Sequence, residues 1–111
     1  MKKIYYLKTC DTCRRLLKEM DTTGYELQEI KENPITVKQL EEIYAKTQSY
    51  EVLFSRRAKK YKQMDLKNQM LEEKDYRQLI LDEYTFLKRP VIINDNEVLV
   101  GNTKKRVDRL K

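Results

Sequence analysis

"YYLKTCDTCRRLL", residues 5–17, carries the chain from an apolar run into a helical pattern, and both cysteines sit at the junction. Ile4, Tyr5, Tyr6 and Leu7 are apolar and aromatic, the composition of a short buried strand. From Cys13 onward the period changes: Cys13, Leu16, Leu17 and Met20 fall on one helical face. Cys10 therefore stands at the start of a helix that follows a strand. There, unpaired backbone N–H groups and the positive end of the helix dipole favour an anion, which for cysteine is the thiolate. The thiolate is the nucleophile, so the position activates the residue. Lys8, Arg14 and Arg15 add positive potential, and Asp11 opposes it. Cys13, one turn later, shares the buried face; it is shielded and placed to attack a mixed disulfide on Cys10.

Two other uses of the pair fit less well. A structural zinc site normally takes four Cys or His ligands, and the chain has 2 cysteines and no histidine, so no metal is expected. A static disulfide across two intervening residues gains little from loop closure, and a reducing compartment keeps such thiols open. The missing histidine also removes imidazole as a catalytic base or a near-neutral pH switch.

The chain has 111 residues, which reads as one domain, 1–111. Its 24 Lys+Arg against 18 Asp+Glu leave a formal charge of +6, a balance that favours anionic partners. The cations are spread among acids, with no basic arm or recognition-helix signature, so direct DNA binding is not indicated. No apolar run approaches the roughly 18 residues of a membrane span. The apolar stretch behind Met1-Lys2-Lys3 is too short for a secretory signal, and a cytoplasmic protein is expected.

Further elements follow from pattern. Gly24 is expected to end the first helix in a left-handed residue. Tyr25 to Ile30 read as a second strand, with Tyr25 and Leu27 on one face. Thr36 and Gln39 have the spacing of a capping box, and Ile35 and Leu40 that of a hydrophobic staple, so a helix begins there. Residues 55–66 read as a short helix or irregular crossover. Tyr76, Leu79, Ile80, Tyr84 and Leu87 recur at helical spacing from about Glu72, until Arg89-Pro90 breaks the pattern. Val91–Ile93 and Val98–Val100 read as a hairpin, and a last short helix is expected from Asn102 or Thr103. The sum is a β-α-β half, a helical insertion at about 36–88 and a β-β-α half, giving a four-stranded mixed sheet flanked by helices.

"YYLKTCDTCRRLLKEM", "LFSRRAKKYKQMDL" and "FLKRPVIINDNEVLVGN", in that order and spacing, resemble the arsenate reductase family of thioredoxin-like proteins, the glutaredoxin-coupled branch that includes the Spx regulators. The resemblance covers nearly the whole chain and implies a thioredoxin-like α/β fold. It matches Cys10 to the family nucleophile and Cys13 to the second cysteine of Spx-like members. It matches Arg57 to a central arginine and Arg89 to the arginine before a cis-proline, Pro90. Two guanidiniums converging on a thiolate would hold an oxyanion by bidentate, charge-assisted hydrogen bonds. The implied activity is thiol-disulfide or oxyanion reduction with no bound cofactor, the reductant being thioredoxin, or glutathione with glutaredoxin. The alternative is a redox-sensing regulator that binds RNA polymerase. Two departures stand out: Gly101 occupies the place of a third arginine of arsenate reductases, and Ser49 that of a glycine the regulators use against polymerase.

Overall fold

The computed structural model describes residues 1–95 and 97–101. The described residues form two compact units: Met1–Pro34 together with those from Arg89 onward, and Ile35–Lys88. The expected helix after Asn102 lies outside the described residues.

The first unit holds β1 (Lys2–Tyr6), α1 (Asp11–Glu19), β2 (Glu26–Glu29), β3 (Val91–Asn94) and β4 (Glu97–Val100). The sheet order is β2-β1-β3-β4. β1 and β2 run parallel with Ile4 opposite Leu27; β3 is antiparallel to both β1 and β4. The α1 crossover accounts for the parallel pair, and a tight turn through Asp95 accounts for the hairpin. Strand alternation divides the side chains. Ile4, Ile92 and Leu99 meet Leu16 and Met20 of the α1 segment in a buried cluster, against which Tyr6, Leu17 and Tyr25 pack. Lys3, Tyr5, Val91, Ile93 and Val100 point to the other face and are buried as well. Burying each large apolar side chain here contributes about 1.5–3 kcal/mol, so the α1 face is what seats Cys13 and, through it, Cys10.

Two local expectations change. α1 ends at Glu19, because Met20 is already extended and Asp21 accepts the backbone N–H of Thr23; local capping competes with helix continuation. Gly24 is left-handed at φ 85, but in the turn closed by Tyr25 N–H to Thr22 O, not at the helix end. In β2 the buried residue is Gln28, whose amide donates to Asn33 O, while Leu27 is 45% exposed.

The second unit contains α2 (Val37–Thr47), α3 (Lys59–Gln63) and α4 (Glu73–Asp82), with 3₁₀ turns at Glu51–Leu53, Leu66–Asn68 and Tyr84–Phe86. Thr36 and Gln39 make the capping box at the start of α2. Phe54 forms the aromatic centre, with ring centroids 5.0 Å from Phe86 and 4.9 Å from Tyr76. α4 stops at Asp82, before Arg89-Pro90, because Glu83 is extended and accepts from Thr85 N–H. Leu87, expected on that helix, instead pairs with Phe54 in an antiparallel bridge.

Candidate active site

The site begins where β1 ends. After Tyr6 the chain turns, the Cys10 N–H donating to Leu7 O at 3.0 Å, and α1 starts with Cys10 as its N-cap. The next three residues still lack helical acceptors for their N–H groups. The Cys10 thiol makes no strict capping hydrogen bond, but the N–H groups of Cys13 and Thr12 lie close enough to favour its ionised form. Cys10 and Cys13 are both free and lie 3.7 Å from each other. Cys10 is partly exposed and Cys13 fully buried.

The two sulfurs have opposite electrostatics. Burial pushes the Cys10 thiol up, yet the backbone N–H and the thiol of Cys13, the Arg89 charge and the Thr12 N–H outweigh it. The net result is a pKa below the ordinary cysteine value. Burial pushes Cys13 up to about 12, and a charged Cys10 neighbour adds to the rise; the Leu7 N–H and Arg89 oppose it without prevailing. Cys10 is therefore the sulfur that ionises first, beside a Cys13 thiol that can donate to it.

Arg89 supplies the positive charge at the pair. Tyr5 is opposite Val91, so continuing the antiparallel register brings Arg89 beside the loop from Leu7 to Cys10. The Arg89-Pro90 peptide is cis, and Gly101 N–H donates to Pro90 O at 3.1 Å. The expected contribution of Lys8 and Arg14 is smaller, because each is engaged elsewhere. Lys8 Nζ pairs with Glu32 at 2.9 Å, and Arg14 pairs with Asp11.

Arg57 belongs to the second unit. It is exposed, and its backbone N–H donates to Ser55 Oγ at 3.4 Å. The adjacent Arg56 is committed within that unit: its guanidinium bonds Glu51 at 2.9 Å and Tyr76 Oη at 3.2 Å. Of the two neighbouring arginines, Arg57 is thus the one whose side chain is open to another role. Among the described residues no cluster of three or more His, Cys, Asp or Glu could hold a metal, and no helix is long and apolar enough to cross a membrane.

One residue at the site escaped the sequence reading. Glu29, the last residue of β2, accepts backbone N–H groups from Lys8 at 2.9 Å, Lys31 at 2.8 Å and Glu32 at 2.9 Å. Nothing in hydrophobic period marks it; an acid at the end of a strand parallel to the cysteine-bearing one is the only sequence signal.

Comparison with known proteins agrees with this architecture. The ArsC family model matches residues 5–110. Global transcriptional regulator Spx 1 of Bacillus cereus is 26% identical over 112 residues, covering 98% of this chain and 86% of that protein. YusI of Bacillus subtilis is 28% identical over 102 residues, covering 87% of this chain and 86% of its own. Among solved structures, an ArsC family related protein from Bacteroides fragilis has a TM-score of 0.82 at 22% identity, covering 99% of this chain and 98% of that one. The arsenate reductase from Vibrio cholerae also has a TM-score of 0.82, at 16% identity, covering 99% and 97%. At such identities the two structures speak for the fold, which is thioredoxin-like with a mixed four-stranded sheet and flanking helices. The family match is independent of them and takes in both cysteines and the Arg89-Pro90 step: this chain belongs to the ArsC family.

Proposed function

We propose that the protein is a thiol-disulfide oxidoreductase in which Cys10 attacks and Cys13 resolves. The observation that carries this reading is the opposed pair: a partly exposed sulfur held low in pKa, 3.7 Å from a buried one pushed up to about 12. In the first step the Cys10 thiolate attacks a substrate disulfide, forming a mixed disulfide and expelling one substrate thiolate. Cys10 then carries no charge, so part of what kept Cys13 protonated disappears, while Arg89 still favours its ionisation. Cys13 loses its proton and attacks the Cys10 sulfur; the second substrate thiolate leaves, and a Cys10–Cys13 disulfide remains. An external thiol, thioredoxin or glutathione with glutaredoxin, returns two electrons and restores both thiols.

Arg89 stabilises the Cys10 anion, and Pro90 follows it immediately before β3, the strand that borders β1. Arg57 enters by family correspondence as a second guanidinium for an anionic substrate. Arsenate is the less favoured substrate, because Gly101 stands where a third arginine would bind the oxyanion. Turnover of a small disulfide by the reduced protein tests the reading. Cys10→Ser should abolish it, and unchanged turnover in that variant would refute the mechanism.

A second reading is favoured by one comparison, the 26% identical relative named a global transcriptional regulator. There the same disulfide would alter a surface that binds RNA polymerase. Retention of oxidised and reduced protein on immobilised polymerase separates the two; retention that ignores redox state removes the regulator.

A further inference from the structure

We infer that Glu29 is a positioning residue for Cys10, acting through the Leu7–Lys8 peptide; the inference rests on the redox role proposed for Cys10. The Lys8 N–H donates to Glu29 Oε2 at 2.9 Å. The carbonyl of that same peptide unit, Leu7 O, accepts the Cys10 N–H at 3.0 Å. A peptide unit is planar and rigid, so fixing its N–H fixes the direction of its C=O. One carboxylate thus holds the acceptor that holds the backbone of the nucleophile. The two hydrogen bonds also polarise each other through the peptide, which strengthens both.

The carboxylate is itself well anchored. Its other oxygen accepts from Lys31 and Glu32, so both oxygens are bound and the side chain has one orientation. The backbone around it is tied to β1 as well, the Ile30 N–H donating to Tyr6 O at 2.9 Å. Bonds to Lys31 and Glu32 are local and would suit any strand exit. The bond to Lys8 reaches 21 positions back in the chain and meets the three residues, Leu7 to Thr9, that separate β1 from Cys10. Leu7 has a second part in the same arrangement, since its own N–H faces the Cys13 sulfur. A loop that tilts would therefore disturb both thiols.

Geometry and charge give opposite signs, which makes the role measurable. Removing a negative charge near Cys10 would by itself make the thiolate easier to form. Loosening the turn would withdraw the Cys10 sulfur from the Thr12 and Cys13 N–H groups and make it harder. The test follows the ultraviolet absorbance of the thiolate in the full reduced chain against pH, with Cys10→Ser as the blank. In Glu29→Gln the Cys10 pKa should rise, reducing the thiolate fraction at neutral pH at least about threefold. Glu29→Asp keeps the charge but draws the oxygens back by one methylene; it carries the same expectation and decides the matter if Glu29→Gln does not fold. Glu32→Gln removes the Lys8 side-chain pair but not the backbone bond, and should leave Cys10 unchanged. A wild-type Cys10 that ionises as an ordinary thiol overturns the redox reading and this one with it. A wild-type thiol that is lowered, and stays so in the Glu29 variants, overturns the role of Glu29 alone.

Discussion

Cys10, the N-cap of α1, and Cys13, in its first turn, lie 3.7 Å apart, yet their surroundings drive their ionisation in opposite directions. Burial dominates at Cys13, whereas at Cys10 the backbone N–H groups of the helix start and the charge of Arg89 overcome it. A dithiol with identical environments would have no defined attacker; this unequal pair gives the proposed reaction one.

The first consequence concerns the reaction cycle. In the proposed reaction Cys13→Ser removes the resolving thiol but leaves the attacker, so the protein should accumulate as a mixed disulfide with its substrate. Intact-mass measurement after exposure to a small disulfide checks this. The variant should gain one substrate thiol per chain, and wild type should instead lose two hydrogens.

Arg89 offers a test of the electrostatics. Arg89→Ala deletes a charge that favours both thiolates, so both pKa values should rise. Alkylation of Cys10 at neutral pH should slow by about three- to tenfold, and Arg89→Lys should recover part of the rate.

Stability should depend on the same pair. Cys13 is raised from 9.0 to about 12 on folding, so its contribution is fully present below pH 9. It is lost as pH climbs from there through the folded value, because the unfolded chain ionises first. The slope attributable to it is at most about 1.4 kcal/mol per pH unit. Cys10 has the opposite sign: its lowered pKa contributes stability at alkaline pH that disappears as pH falls through the folded value. Cys13→Ala loses a buried side chain and is offset at every pH, but above about pH 9 its stability in denaturant unfolding should decline less steeply with pH than that of reduced wild type.

The sheet–helix contact behind the site can be probed separately. Leu16 is fully buried in the cluster with Ile4, Met20, Ile92 and Leu99. Leu16→Ala should cost about 2–5 kcal/mol in denaturant unfolding.

What the sequence discloses is local. The strand-to-helix step at Cys10, the Thr36–Gln39 cap and the hairpin around Asp95 are written in neighbouring residues, and each appears in the structure. What it hides depends on competition or distance. Asp21 and Glu83 end helices early by capturing nearby N–H groups, which displaces Gly24 and Leu87 from their expected parts. Gln28 takes a buried place because Asn33 and Pro34 carbonyls satisfy its amide. Glu29 reaches the Cys10 turn only through the pairing of β1 with β2. Arg14 and Lys8 resemble supporting cations in sequence, but their own acidic partners engage them.

The most direct test is the thiolate absorbance of the reduced protein titrated from acid to alkali. One sulfur, absent in Cys10→Ser, should ionise below the ordinary cysteine value of 9.0, and the other only toward about 12. Two thiols ionising together near the ordinary value would contradict the division of roles on which the proposed chemistry depends.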